Sequence, residues 1–253
     1  MKKAIIAASL AAALCTSAQA DTLLGLYLGG QIWANQAEGT FGEGEIDQAA
    51  FNFDNEKQGS FFVALEHPIP LIPNIKIAST TLDTVGGATI SGTNSFTFGN
   101  ETYNANSELD TTFDTSYVDY TFYYEVFDND LITFDFGITA RDLDSQIDIV
   151  NQAGSQNSGL SVSGILPLLY VNTIIGLPFT GFNVFAEANF LSYDDNTIYD
   201  YQAGVSYEVL DNLAIDLNVT LGYRAVKLEL NDIDDLYSDL TFDGVFAGVV
   251  LHF

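Results

Sequence analysis

The stretch Leu213–Val226, LAIDLNVTLGYRAV, limits what this chain can fold into more than any other. Leu213, Ile215, Leu217, Val219, Leu221, Tyr223 and Ala225 are apolar or aromatic, and Ala214, Asp216, Asn218, Thr220, Gly222 and Arg224 between them are small or polar. A period of two describes a β-strand with two unlike faces. One face wants apolar surroundings and the other tolerates charge. A tilted strand crosses a bilayer in about 9–11 residues, so this one is long enough to span. A half-buried strand of a water-soluble sheet would look the same; what separates the two is how often the pattern returns and what stands at the two ends of the chain.

The pattern returns throughout. Strands are predicted at Leu23–Ala34, Gly59–His67, Ile75–Leu82, Tyr117–Phe127, Ile132–Asp142, Leu160–Leu177, Phe182–Tyr193, Thr197–Val209, Leu213–Val226 and Leu236–Phe253. The sixth is apolar on both faces and carries Pro167, which points to a bulge or to a locally covered inner face. The connections after the second, fourth, sixth and eighth strands are short. Those after the first, third and fifth are long and polar, with Gln36–Gln58 and Val85–Thr112 expected as loops. Short turns at one end, longer loops at the other and an even strand count are the plan of an outer-membrane barrel.

The two ends agree with that plan. Lys2 and Lys3 precede an apolar run, Ala4–Leu14, and then Ser17-Ala18-Gln19-Ala20, the form of a cleaved secretory signal. The expected division is residues 1–20 as signal peptide and 21–253 as one barrel domain. Cys15, the only cysteine, falls in the signal, so disulfides are not expected. Removing the signal takes two bases and no acid, leaving five bases against 34 acids and a formal charge of −29. Nucleic acid is an unlikely partner for such a chain. Hydrophobic residues make up 47% of it, which argues against disorder. At the other end Val245, Ala247, Val249, Leu251 and Phe253 share a face, and the last residue is aromatic.

With the export signal ending at Ala20, the dyad strands and Phe253, the chain resembles the small outer-membrane β-barrel proteins of Gram-negative bacteria. The resemblance implies an all-β fold: a closed antiparallel up-and-down transmembrane β-barrel of about ten strands. It implies the outer membrane as location, with lipid and lipopolysaccharide as surroundings. It also implies Val249, Leu251 and Phe253 as the signature read by the barrel assembly machinery. The group holds small pores, adhesins, structural barrels and a few enzymes, so activity is left open.

In the register of these strands Tyr120, Tyr124, Phe190, Tyr201, Tyr207, Tyr223 and Phe253 face outward, where aromatic girdles stand. The inward face carries Glu66, Lys76, Asp119, Glu125, Asp135, Arg141, Glu187, Asp200, Glu208, Asp216 and Arg224. Arg224 is expected to pair with Asp216 or Glu187. A barrel only slightly wider than eight strands is largely filled by its own side chains. The lumen is therefore either a salt-bridged plug, the default, or a narrow path for small cations or solutes.

Acids crowd the expected outer loops: Glu38, Glu43, Glu45, Asp47, Asp54 and Glu56, then Glu101, Glu108 and Asp110, then Asp232, Asp234 and Asp235. They read as a solvated acidic surface, with divalent cations bridging to lipopolysaccharide as the alternative. No calcium-loop spacing, nucleotide loop, zinc spacing or G-x-S-x-G elbow occurs, so no cofactor or metal is expected. The two histidines, His67 and His252, fall near the periplasmic ends of strands. A protease-type site at the outer rim would need a histidine at the opposite end. A membrane-embedded hydrolase remains a distant alternative, and isolated histidines would remove it. The chain is read as non-enzymatic, with a structural or surface-interaction role.

Overall fold

The computed structural model describes residues 24–45, 47–91, 95–129, 131–154, 156–212, 215–233 and 236–253. The expected signal peptide, Leu213, Ala214, Asp234 and Asp235 lie outside them. The strands in chain order are β1 (Gly25–Gly44), β2 (Asp47–Ala50), β3 (Asn52–Phe53), β4 (Glu56–Glu66), β5 (Asn74–Thr80), β6 (Asp83–Thr89), β7 (Phe96–Phe98), β8 (Glu101–Tyr103), β9 (Glu108–Asp114), β10 (Tyr117–Asp128), β11 (Ile132–Asn151), β12 (Asn157–Leu177), β13 (Phe182–Tyr193), β14 (Asn196–Asp211), β15 (Asp216–Ile233) and β16 (Leu236–His252).

Ten of them close a ring in the order β1, β4, β5, β10, β11, β12, β13, β14, β15, β16 and back to β1, every contact antiparallel. The closing seam runs from Tyr27↔His252 to Gly42↔Tyr237. Leu26 and Phe253 extend it by exchanging backbone hydrogen bonds of 3.3 and 3.0 Å. No sheet edge therefore meets lipid, as a spanning sheet requires. The turns at the end where the termini lie are short, which makes it the periplasmic end.

The alternation inverts partway up the strands. On β11, Ile132, Phe134, Phe136, Ile138 and Ala140 point outward, while Asp135, Thr139 and Arg141 point inward. Above Arg141 the outward residues become Asp142, Asp144, Gln146 and Asp148, and Leu143, Ile147 and Ile149 are buried within. On β15 the outward row passes from Val219, Leu221 and Tyr223 to Lys227 and Glu229. Its inward row passes from Thr220 and Arg224 to Val226, Leu228 and Leu230. On β16 the outward row passes from Val249, Ala247 and Val245 to Asp243, Thr241 and Asp239. Below the switch the solvent outside is hydrocarbon, and above it the solvent is water.

Above the switch the wall also changes membership. β9 pairs with the upper end of β11, β6 with β9, and β3 with β6, while β2 pairs with β1. The segment Asp47–Phe53 thus bridges β1 to β6 and encloses an outer tier. Its interior is one apolar core. Phe41 stacks on Phe51 at 4.6 Å between ring centroids and meets Phe98 and Phe113 at 5.6 Å each. The hairpin β7–β8 inserts Phe96, Phe98 and Tyr103, all buried, into the same core.

The expected loops Gln36–Gln58 and Val85–Thr112 are corrected by this. The first is the outer end of β1 with β2, β3 and the start of β4; the second contains β7, β8, most of β6 and most of β9. Their strands escape a period-two pattern because the inverted alternation breaks the phase of the spanning strands, and because β7 and β8 have three residues each. β12 carries no bulge against β11: its register is unbroken from Ile132↔Ile175 to Val150↔Asn157. Its inner face is covered instead, by the outer-tier core around Leu160, Val162, Leu166 and Leu168. Pro167 stands just past the last β12–β13 rung, Leu169↔Phe190, where a missing N–H removes no bond on that side.

Two positions on the outward face of β11 test the switch. Ile138→Arg, in the apolar belt, is expected to cost about 2–4 kcal/mol, as a cation near the bilayer midplane does. Asp144→Arg, six residues on and above the switch, should stay within about 0.5 kcal/mol of wild type. Urea unfolding in lipid vesicles, followed through the single tryptophan Trp33, measures both; equal costs would mean the boundary is misplaced.

Candidate functional site

The lumen divides into three levels. Uppermost is the aromatic core just described. Beneath it lies an ion lattice made from the chain's only two arginines. Arg141 on β11 holds Asp119 on β10 with two bonds, Nε to Oδ1 at 2.8 Å and Nη2 to Oδ2 at 2.7 Å, and Nη2 also reaches Asp200 Oδ2 at 2.9 Å. Arg224 on β15 grips Asp200 on β14 through Nε at 2.9 Å and Nη2 at 2.8 Å. Tyr117 donates its hydroxyl to Asp200 at 2.6 Å and accepts from Arg224 at 3.0 Å. The Arg141 guanidinium lies 3.6 Å from the centroid of the Tyr117 ring, and that of Arg224 lies 5.2 Å from that of Trp33. All four charged groups are buried. Two guanidiniums and two carboxylates cancel, and bidentate geometry with aromatic faces offsets the desolvation such a group suffers.

The third level is a chamber of about 440 Å³ at the periplasmic end, lined by residues of all ten ring strands. At its inner end Lys76 on β5 binds Glu187 on β13 at 2.5 Å, with its ammonium 4.6 Å from the Phe62 ring centroid and 5.7 Å from that of Tyr170. Tyr170 also donates to Glu187 at 3.2 Å. Asp135 is buried beside it and accepts from Asn172 at 2.8 Å. Glu66 accepts from Tyr123 at 2.7 Å, and Glu125 from Asn74 at 3.3 Å. At the mouth His252 stacks on Tyr27 at 4.2 Å, its Nδ1 3.3 Å from Asp216.

One row of paired residues links the chamber to the lattice: Glu125, Asp135, Asn172, Glu187, Gln202 and Arg224 stand opposite one another on successive strands. Strands of a closed barrel tilt, so a row at right angles to them climbs the wall. The row rises from the periplasmic mouth to the lattice.

The apolar belt, the closed ring and the inverted outer tier decide the class of protein. The chain has the fold of an outer-membrane β-barrel. Its place is the outer membrane. No protein-family model matches the sequence, and no curated protein does. Among solved structures, the outer membrane protease OmpT from Escherichia coli is similar at a TM-score of 0.59 and 11% identity, covering 95% of this chain and 100% of that one. The transport unit of the autotransporter AIDA-I from Escherichia coli gives 0.41 at 9% identity over 96% of this chain and 94% of its own. Neisserial surface protein A gives 0.30 at 12% over 89% and 95%. At these identities the likeness is one of fold.

The barrel's inward residues fall into distinct groups. Asp119, Arg141 and Arg224 meet in the lattice, whereas Glu66, Lys76, Glu125, Asp135, Glu187, Glu208 and Asp216 line the chamber. Val249, Leu251 and Phe253 lie on the outward side of the seam. The expected pairing of Arg224 with Asp216 or Glu187 is corrected. Asp216 is eight residues down the same strand, about 26 Å away, and Glu187 is held by Lys76. Asp200 takes Arg224 instead, from the neighbouring strand. Both histidines stand at the periplasmic end, where the sequence places them. His67 builds the periplasmic connector, its Nδ1 accepting the N–H of Ile69 at 3.3 Å. His252, by contrast, is not isolated, because it meets Asp216. Tyr117, Tyr170 and Phe62 belong to the lumen chemistry without any signal in the sequence. They looked like ordinary strand formers, and only the register shows their rings against cations.

Many expected loop acids stand on strands. Glu43 and Asp47 accept backbone N–H groups of the β7–β8 hairpin, from Gly99 at 2.9 Å and Thr97 at 3.2 Å. Among the described residues no three His, Cys, Asp or Glu side chains gather as a metal site.

Removing one lattice member strands a charge. Arg141→Met alone should cost about 3–5 kcal/mol, as breaking a buried pair does. Arg141→Met with Asp119→Leu should recover much of that loss, since Arg224 still serves Asp200. Vesicle unfolding of the two variants decides it, and an unrecovered double variant would count against a paired lattice.

Proposed function

We propose that this chain is a non-conducting outer-membrane barrel with a structural or surface-interaction role, presenting a folded outer tier on the cell surface. One observation carries the reading: the apolar core of the outer tier and the neutral ion lattice beneath it occupy the lumen in series. Hydrated ions need a continuous polar route. Here the polar route runs from the periplasm to the lattice and meets a packed aromatic core above it.

The outer tier suits a contact role. Its outward face is polar and acidic, with Asp142, Asp144, Asp239 and Asp243 on regular strands. Lipid surrounds the belt, lipopolysaccharide meets the tier's lower edge, and the assembly machinery reads the last strand. Divalent cations would join the outward acids to lipopolysaccharide phosphates, through pairs of carboxylates on neighbouring molecules.

The outer membrane protease OmpT, similar in fold at a TM-score of 0.59, raises the alternative of an enzyme. Both histidines of this chain are at the periplasmic end, and the outer rim has none to act as a base. His252 does meet a carboxylate. Its ring face, however, is packed on Tyr27 at 4.2 Å, as an interfacial structural residue would be.

Planar-bilayer recording tests the proposal. The purified barrel should show no steady single-channel conductance at moderate voltage. Steady conductance that falls when Glu187 and Asp119 are replaced by Gln and Asn would overturn it in favour of a narrow cation pore.

A further inference from the structure

We infer that the outer tier receives an extended segment of another polypeptide along the open edge of β12, Leu160–Leu166, by strand addition, and that this segment alternates apolar and basic residues. The inference rests on the surface-interaction reading above and gives it a class of partner; it does not depend on whether the lumen conducts.

The wall of the outer tier has an opening. β12 pairs with β11 from Ile132↔Ile175 to Val150↔Asn157, but its rungs to β13 end at Leu169↔Phe190. β13 and β14 turn back at Tyr193 and Asn196, while β12 and β15 run on to Asn157 and Ile233. Among the described residues no strand pairs with the free side of β12 above Pro167. At its top the backbone of Gly99 packs against Ser158 and Gly159, which leaves Leu160–Leu166 as the open edge. The strand ends around this opening carry Leu160, Leu166, Leu191 and Ile233, apolar side chains that are only partly buried against the outer-tier core. Edges in water usually carry charge, a bulge or proline. Here, in a chain of 34 acids, Leu160–Leu166 holds no charged residue, and the one proline of the strand, Pro167, lies below it.

The surroundings define the segment. The outward row of β12, Gly159, Ser161, Ser163 and Ile165, stands opposite Asp148, Gln146, Asp144 and Asp142 of β11. An added strand lies two strand spacings, about 10 Å, from β11. The short glycine and serine positions leave a trough between them, across which lysine or arginine of the added strand reaches those carboxylates. Asp148 already leans over it: a Cβ on Gly159 would stand 2.8 Å from its Oδ1. The alternate residues of the segment face inward, over Leu160 and Leu166, and are therefore apolar. A second copy of the barrel cannot supply the strand. Strands tilted by about 40° and related by a twofold axis along the membrane normal cross at about 80°, and no ladder forms at that angle.

The test uses the intact barrel in uncharged nanodiscs and, as probe, a short capped peptide of alternating valine and lysine, followed by fluorescence anisotropy at fixed ionic strength. Folding of each variant is confirmed by the heat-dependent gel shift of intact barrels. The expected result is saturable one-to-one binding, with amide hydrogen exchange slowed at Leu160–Leu166. Ser163→Lys, which fills the trough with a like charge, should weaken binding about tenfold or more, and Asp144→Asn with Asp148→Asn several-fold. Glu38→Gln, at an outward acid of β1, should leave it unchanged. The inference fails if binding does not saturate, if exchange slows elsewhere and not on β12, or if Ser163→Lys, folded, binds as wild type. It fails too if two peptides N-methylated at alternate residues, one in each phase, both bind as well as the parent, because charge alone then suffices. Conductance is a separate readout, so loss of the non-conducting reading and loss of this one are told apart.

Discussion

A sheet immersed in hydrocarbon has no water to complete its backbone hydrogen bonds, and this constraint governs everything else in the molecule. Each N–H and C=O left open in lipid costs several kcal/mol. The ring must therefore close, and here β1 and β16 are joined up to the exchange between Leu26 and Phe253. Closure forces tilt, and tilt makes each cross-strand row climb. The lumen's chemistry inherits that geometry. Glu125 near the mouth and Arg224 in the lattice belong to one row, although they sit at different depths. Carboxylates, amides and a guanidinium are thereby graded along the axis without any strand having to bend.

The same strands then leave the membrane and continue. Nothing in the backbone marks the boundary; only side chains do, by exchanging roles between faces. Inside the belt the apolar row faces out because lipid is there. Above it the apolar row faces in, because water is outside and a core can form only within. The outer tier thus resembles a water-soluble barrel stacked on a membrane barrel and sharing strands such as β11, β15 and β16 with it. The shared ladders join the two tiers, and the hairpin β7–β8, which pairs with no ring strand, is held by packing in the core and by Glu43 and Asp47.

That inversion also sets what can be read from the sequence. All ten spanning strands and the outward aromatics Tyr120, Tyr124, Tyr201, Tyr207 and Tyr223 are legible, because lipid imposes one phase on every strand. The expected strand ends at Ala34, Asp142 and Val226 are where the phase reverses, and the chain runs on to Gly44, Asn151 and Ile233. A period-two reading with one fixed outside takes reversal for termination. The lumen residues are legible as a set, since each is the polar member of a dyad. Their partners are not, because Arg224 meeting Asp200 rather than Asp216 depends on stagger between strands, which no single strand encodes.

The distribution of lumen charge follows from access to water. Arg141, Arg224, Asp119 and Asp200 lie directly beneath an apolar core, where an uncompensated charge would be prohibitive, and they sum to zero. The chamber carries a surplus of acids, and it lies at the end that opens to the periplasm, where water and mobile cations can screen them. Exchanging the two arrangements would bury a net charge under the aromatic core and leave a neutral cluster in water, at a cost the lattice geometry could not offset. The excess charge therefore stands where the lumen opens to water, and the neutral lattice stands where it does not.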